Sequence, residues 1–563
     1  MEWTRRTPRS WLVQAPLFVA LLAGGVAWAQ GQDAQPAAAA QETPAAAAQD
    51  QGPQPPDGKW LTDKEGRQYF LEKFDKSLRH RRLDDKMVRT PWGISIEVEK
   101  EDEKYFYYKV YRLDPAANAD FRAPKPTEEE EKKVEDSYRT ETAESHRLSF
   151  VSFSKGLPTG GQWRNGFDIA DMNGDKHPDI VHGPARKSLG APSIFLGDGK
   201  GNWRRWSEAK YPRLPFDYGD AAAADFNGDG HMDLALGMHL RGVVALLGDG
   251  KGNFKDWSKG LDLQVPGHDG NDASGFSSRT IMALDWNVDG RPDIVALGEG
   301  PRLNATARPS SQAPKMSGSE SFGIVVYLNQ GDGTWVRKDQ GTSSREIFGE
   351  DLVAGDFNGD RRQDFATGSS VMGRRTLLNF GREDGAWNVT DVETVRPQSY
   401  VRAVEAADFN GDGVDDLAVA YLSFELAAWR SGIDILYGRS DGSFTRRPLA
   451  MREGRSEISA VASGDLDGDG KLDLAALTGK GETWVFLGDG KGFFTRETAV
   501  DIPQYPGECR GYHVELADLD KDGRDEIVAG FAGEPSALMA PDLCTSGGGL
   551  QAWRPVPAAA PAR

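Results

Sequence analysis

The phrase DFNGDGHMD, Asp225 to Asp233, sets side-chain oxygens at its first, third, fifth and ninth positions: Asp225, Asn227, Asp229 and Asp233. Alternating carboxylates and amides on a tight turn are hard donors, and calcium takes about six to eight such oxygens at about 2.3–2.6 Å. Gly228 and Gly230 let the backbone curl, and the carbonyl of the seventh residue, His231, adds a main-chain ligand.

The chain contains this phrase seven times. The first copy offers Asp171, Asn173, Asp175, His177 and Asp179, the third Asp285, Asn287, Asp289, Arg291 and Asp293, and the fourth Asp356, Asn358, Asp360, Arg362 and Asp364. The fifth offers Asp408, Asn410, Asp412, Val414 and Asp416, the sixth Asp465, Asp467, Asp469, Lys471 and Asp473, and the seventh Asp518, Asp520, Asp522, Arg524 and Glu526. In every set the fourth-named residue contributes its carbonyl. A loop of this kind in an EF-hand needs a Glu at position twelve, where the second copy has Leu236 and the first His182. Up to seven calcium ions are therefore expected, and their role reads as bracing the fold, with affinities of about 10⁻⁴ to 10⁻³ M.

Successive copies start 54, 60, 71, 52, 57 and 53 residues apart, a period that suits a four-stranded sheet. Apolar β-like runs flank each loop, as AAAA does before Asp225 and LALG after Asp233. A second phrase follows, such as LGDGKGNW at Leu196 and LGDGKGNF at Leu247, in which a glycine turn separates a strand from an aromatic. The implied order is inner strand, metal loop, second strand, third strand, glycine turn, outer strand.

The rest of the 563 residues reads as accessory. Residues 1–29 resemble an export signal: Arg5, Arg6 and Arg9, an apolar core, then Ala27-Trp28-Ala29. The alternative is a membrane anchor, although Gln14 and Pro16 interrupt the apolar stretch. Export places the mature chain in the periplasm or outside the cell. Residues 30–58, rich in Ala, Gln and Pro, form a disordered linker. A small α+β module is expected over 59–125, with a helix through Phe70, Phe74 and Leu78 and a hairpin from Ile94 to Arg112. A charged connector helix spans 126–147, the repeats 148–555, and a disordered tail 556–563.

The formal charge of -19 excludes a nucleic-acid partner, which needs a clustered basic surface. Much of it belongs to the loops, whose ligand sets hold three acids in each of five copies and four in each of the last two. No nucleophile elbow, metalloprotease helix or phosphate loop occurs.

Together the seven loops and their glycine turns resemble the FG-GAP and VCBS repeat family, which includes the integrin α-subunit head and many exported bacterial proteins. The resemblance implies an all-β seven-bladed propeller, here with a small N-terminal α+β module and a disordered linker. Departures are local: Lys176 and Arg361 stand for the glycine at position six in copies one and four, Val288 and Lys521 for that at position four in copies three and seven, and Glu526 takes position nine. Weaker binding is expected in copies one and four. The seventh copy lacks an outer strand before the chain ends, but RLSFVSFSKGLP from Arg147 resembles GNFKDWSKGL after the second glycine turn. Residues 148–154 should therefore complete the last blade.

That strand order puts the metal loops on one face and the connections between blades on the other. Cys509 and Cys544 both fall on the second face, where export favours a disulfide over two free thiols. Candidate ligand-binding residues there are Trp163, Arg164, Asn165, Tyr218, His268, Arg279, Arg402, Trp429, Tyr512 and His513. Two functions follow. One is a non-catalytic scaffold that binds a glycan or an extracytoplasmic protein. The other is a carbohydrate-active enzyme such as a polysaccharide lyase, with His239, His268, His513, Arg279 and Tyr512 at the central mouth.

Overall fold

The computed structural model describes residues 59–111 and 128–558, apart from 264–275, 300–322, 340–348, 369–376, 392–398, 534–543 and shorter runs and single positions between them. The export signal and linker lie outside the described residues. Two compact units divide the chain near residue 129.

The N-terminal unit is a six-stranded sheet in the order Leu61–Thr62, Gln68–Asp75, Tyr105–Tyr111, Ser95–Glu101, Met87–Arg89, Arg81–Arg82. No helix occurs among its described residues before Glu128. The helix expected through Phe70 and Phe74 is a strand, Gln68–Asp75, and Leu78 lies outside the described residues. A spacing of four satisfies both periods, and along Gln68–Asp75 the buried residues are Phe70 and Phe74, on one face of a pleat. Phe74, Val88, Ile96 and Phe106 form the core, and Ser95–Glu101 pairs with Tyr105–Tyr111 as the expected hairpin.

In the second unit each copy of the phrase lies in its own antiparallel sheet. The first runs Phe167–Ala170, Asp179–His182, Ser193–Gly197, Trp203–Arg205; the second Gly219–Ala224, Asp233–Met238, Gly242–Gly248, Phe254–Asp256. Five more sheets begin with Ser278–Leu284, Leu352–Gly355, Ser399–Ala407, Ile458–Gly464 and Arg510–Ala517. First and second strands are buried on both faces, which is why they read as unbroken apolar runs.

Seven apolar clusters join these sheets in sequence. Ala221, Leu234 and Val244 pack on Val181 and Ile194 between the first two sheets, and Leu352 and Phe365 pack on Val295 and Val326 between the third and fourth. The last cluster sets Val528, Leu550 and Ala552 of the seventh sheet against Phe167, Ile180 and Phe195 of the first. The apolar contacts therefore close on themselves.

The seventh sheet takes its outer strand from the other end of the chain: Leu148–Ser152 pairs antiparallel with Gly548–Pro557, with Trp553 opposite Ser152. The likeness of the two SKG phrases is also structural. Lys155 bridges to Asn202 and Lys259 to Thr334, while Gly156 and Gly260 both adopt φ 99°, where a Cβ would meet the Trp203 or Trp335 carbonyl at 2.1 Å.

The connector helix is shorter than expected, Glu128–Ser137, and Thr127 lies outside the described residues. Ala143–Ser145 instead pairs in parallel with Phe494–Glu497 as a fifth strand of the sixth sheet. Tertiary pairing overrides the helix propensity of this polar stretch. The Tyr138 hydroxyl lies 2.7 Å from Ser423 Oγ and also reaches Glu425, and Thr142 donates to the Leu449 carbonyl at 2.6 Å. Buried Glu497 accepts the N–H groups of Arg147 (2.8 Å) and Leu148 (3.2 Å) and the Ser145 hydroxyl (3.2 Å). Residues 138–152 thus form a strap over the fifth, sixth and seventh sheets.

Candidate functional site

Each phrase joins the first and second strands of its sheet. In the second copy Asp225 Oδ1 accepts the N–H groups of Gly228 (2.8 Å) and Asp229 (3.1 Å), and Oδ2 that of Gly230 (2.8 Å). Asn227 and Asp229 accept the amides of Asp229 and His231, both at 2.9 Å. The loops at Asp171, Asp408 and Asp465 hold their first aspartate in the same way. This curl needs the left-handed region at positions four and six, where Gly228 and Gly230 have φ 74° and 86°. The substituted positions keep it: φ is 73° at Lys176, 57° at Val288, 65° at Arg361 and 64° at Lys521. The backbone curl of those copies is therefore intact, held at a conformational cost.

The ninth residue is the buried floor of each loop. Asp233 is fully buried, its Oδ2 accepting the Phe226 N–H (2.9 Å) and its Oδ1 that of Gly248 (2.8 Å) at the glycine turn. Metal loop and glycine turn are thus tied together, as the strand order implied. Burial pushes Asp179, Asp233, Asp364, Asp416 and Asp473 up to about 7, Asp293 to about 6 and Glu526 to about 8, and acids of the same loop add to the rise.

A dication at the loop would reverse that balance by favouring the ionised form. Glu526 Oε1 is buried without a hydrogen-bond partner, while Oε2 accepts the Leu519 N–H at 2.7 Å. Carboxylate oxygens of Asp465, Asp467 and Asp473, and of Asp518, Asp520 and Asp522, fall within 4.8 Å of one another. All these donors are hard oxygens, so the residues present fit a hard divalent cation. The two copies with Asp at position three each meet an arginine from the closing strands, Arg147 to Asp467 at 3.2 Å and Arg554 to Asp520 at 3.0 Å.

The other ends of the sheets carry most of the remaining candidates. Arg164 is buried, its guanidinium carbon 5.2 Å from the Tyr512 ring and 6.0 Å from that of Tyr218. Arg402 pairs with Glu457 at 2.7 Å, and Trp429 packs on Phe424 at 5.0 Å near the end of the fifth sheet's hairpin. Two candidates are core side chains instead. Trp163 is 8% exposed, donates to the Gly160 carbonyl and packs edge-on against His182 and Phe195. His513 is 1% exposed, 4.5 Å from the Phe167 ring, with Nε2 3.1 Å from Glu515. Asn165, His268 and the Arg279 side chain lie outside the described residues.

His239 has its own carboxylate, Glu299, at 2.8 Å, so it and His513 do not share one hydrogen-bonded group. Cys509 and Cys544 form a disulfide with α-carbons 4.5 Å apart.

Sequence reasoning missed Arg186 and Arg510, which join Arg164 around the two tyrosines, and the buried acids of the first strands. Asp168 accepts the Ala223 N–H (2.6 Å), Asp220 that of Ile281 (3.0 Å), Asp351 that of Val404 (2.6 Å) and Glu405 that of Ser463 (3.1 Å), each reaching into the following sheet. A lone acid inside an apolar run, as in GDAAAA or FDIA, was the available signal.

A family model for FG-GAP-like repeats matches residues 185–236 and 465–529. The chain therefore carries FG-GAP-like repeats in these two segments. Among curated relatives, integrin alpha-5 of Xenopus laevis is 26% identical over 220 residues, covering 34% of this chain and 20% of that one. Integrin alpha-V of Gallus gallus is 25% identical over 216 residues, covering 34% and 21%. The chain thus spans about a fifth of the length of these relatives. The BP39L lectin from Burkholderia pseudomallei aligns with a TM-score of 0.40 at 12% identity, over 73% of this chain and 96% of that one.

Proposed function

We propose that residues 148–558 are a seven-bladed propeller braced by calcium and working as a non-catalytic scaffold that binds a protein outside the cytoplasm, with residues 1–29 as export signal and 59–111 as a separate module. One observation carries the reading: the same oxygen-donor loop stands between the first two strands of seven sheets whose apolar clusters run from each sheet to the next and return to the first. The integrin alpha likeness supports a binding or adhesion role. The enzyme reading gains nothing from His239 and His513, which have separate carboxylates and separate surroundings. No helix among the described residues is long and apolar enough to cross a membrane.

Calcium at about ten to a hundred times its dissociation constant stabilises the folded state by about 1.4–2.7 kcal/mol per site. Thermal unfolding in calcium and in excess chelator tests this. A melting temperature several degrees higher in calcium, with magnesium a poor substitute, is expected; identical melts in calcium and chelator would refute the calcium role.

A further inference from the structure

Five side chains from the ends of the first, second and seventh sheets meet in one cluster. The guanidinium carbons of Arg164 and Arg186 lie 6.0 and 5.4 Å from the Tyr218 ring, and those of Arg164 and Arg510 lie 5.2 and 5.6 Å from the Tyr512 ring. Each ring therefore has two guanidinium groups over it. Arg164 and Tyr512 are buried and form a floor, while Arg186, Tyr218 and Arg510 are partly exposed and form a rim. Glu457 pairs with both Arg510 and Arg402.

Arg164 and Arg186 bring two like charges together, which is unfavourable, beside an Arg510 already paired with Glu457. Arg186 is pushed down by burial and by the Arg164 charge. Both strains are relieved when an anion enters. The guanidinium fork matches a carboxylate with two parallel N–H donors, and the tyrosine hydroxyls add further donors. A sugar would need bare ring faces to stack on, and here those faces are covered by guanidinium groups.

We infer that the Arg164, Arg186 and Arg510 cluster, with Tyr218 and Tyr512, is a receptor for the side-chain carboxylate of an acidic segment on the protein partner. This rests on the scaffold reading above and names the chemistry of its ligand.

A fluorescein-labelled hexaglutamate peptide is titrated by anisotropy against the full chain in calcium, beside a labelled oligogalacturonate of matched charge. Saturable peptide binding that weakens about tenfold or more between about 50 and about 200 mM NaCl is expected. Arg186→Gln should weaken it about tenfold or more, and Arg186→Lys should recover only part of the loss because it keeps charge without the fork, with both melting temperatures at the parent value. No peptide binding by the parent chain, equal binding by Arg186→Gln, or binding of the oligogalacturonate alone overturns the inference. Melts of the same samples in calcium and chelator separate the two failures. A calcium-dependent melt without peptide binding defeats this inference alone, whereas a calcium-independent melt defeats the reading beneath it.

Discussion

Four loop residues sit in a backbone region that L-amino acids avoid, and replacing all four with glycine should stabilise the protein. Lys176, Val288, Arg361 and Lys521 have φ between 57° and 73°. The left-handed region costs a residue with a Cβ about 1–2 kcal/mol, while glycine gives back about 0.5–1 kcal/mol of chain entropy. The net gain is about 0.5–1 kcal/mol per site. Val288 should gain most, because it is β-branched and 86% exposed, with no packing to lose. Lys521 should gain least, since its ammonium reaches the Lys176 carbonyl. Val288 and Arg361 should add to the joint effect of Lys176 and Lys521, which are coupled through that contact, for a total of about 2–4 kcal/mol. Urea unfolding in saturating calcium measures the sum as a rise in midpoint at constant slope. The mirror control is Gly228→Val: no heavy atom lies within 4 Å of a Cβ built there, so any loss is backbone strain, about 1–2 kcal/mol. A quadruple variant no more stable than the parent, or a Gly228→Val chain that unfolds like it, would refute the reasoning.

Two other outcomes follow from the same geometry. Burial in metal-free protein raises the ninth-position carboxyls from the usual carboxylate range to about 6 at Asp293, about 7 at Asp233 and Asp416 and about 8 at Glu526, so between those limits the folded state holds more protons than the unfolded state and stability falls as pH rises; saturating calcium should abolish that fall. Melting temperatures against pH, with and without calcium, check this, and parallel curves would count against it. Glu497→Ala leaves the N–H groups of Arg147 and Leu148 without their acceptor and should cost about 2–4 kcal/mol, with faster proteolysis between residues 138 and 148; a parent-like digestion pattern would mean the strap is held elsewhere.

The loops were legible because their chemistry is local: oxygens at positions one, three, five and nine need no partner elsewhere in the chain to be recognised. The outer strand of the seventh sheet was legible for a different reason, since the SKG phrase at Lys155 repeats the one at Lys259. What failed was everything decided by distant partners. Phe70 and Phe74 suit a helix or a strand equally, and pairing with Tyr105–Tyr111 settles the matter. Ala143–Ser145 has no apolar pattern of its own and becomes a strand because Phe494–Glu497 offers an edge. Trp163 and His513 stand among the binding candidates of the second face, yet both turn inward against Phe195 and Phe167. Arg186 and Arg510 carried no motif, and only the structure sets them over Tyr218 and Tyr512.

The junction of Leu148–Ser152 with Gly548–Pro557 has a consequence for biosynthesis. The Ser154 hydroxyl donates to the carbonyl of Ala552, 398 residues further on. As the polypeptide emerges from the ribosome, the first six sheets have the material to assemble one after another, while the segment from Leu148 waits with an exposed edge and apolar Phe150 uncovered. Final closure is then a late, long-range event with a large loop entropy, and the half-built arc before it is the species most exposed to chaperones and to wrong pairing between neighbouring chains.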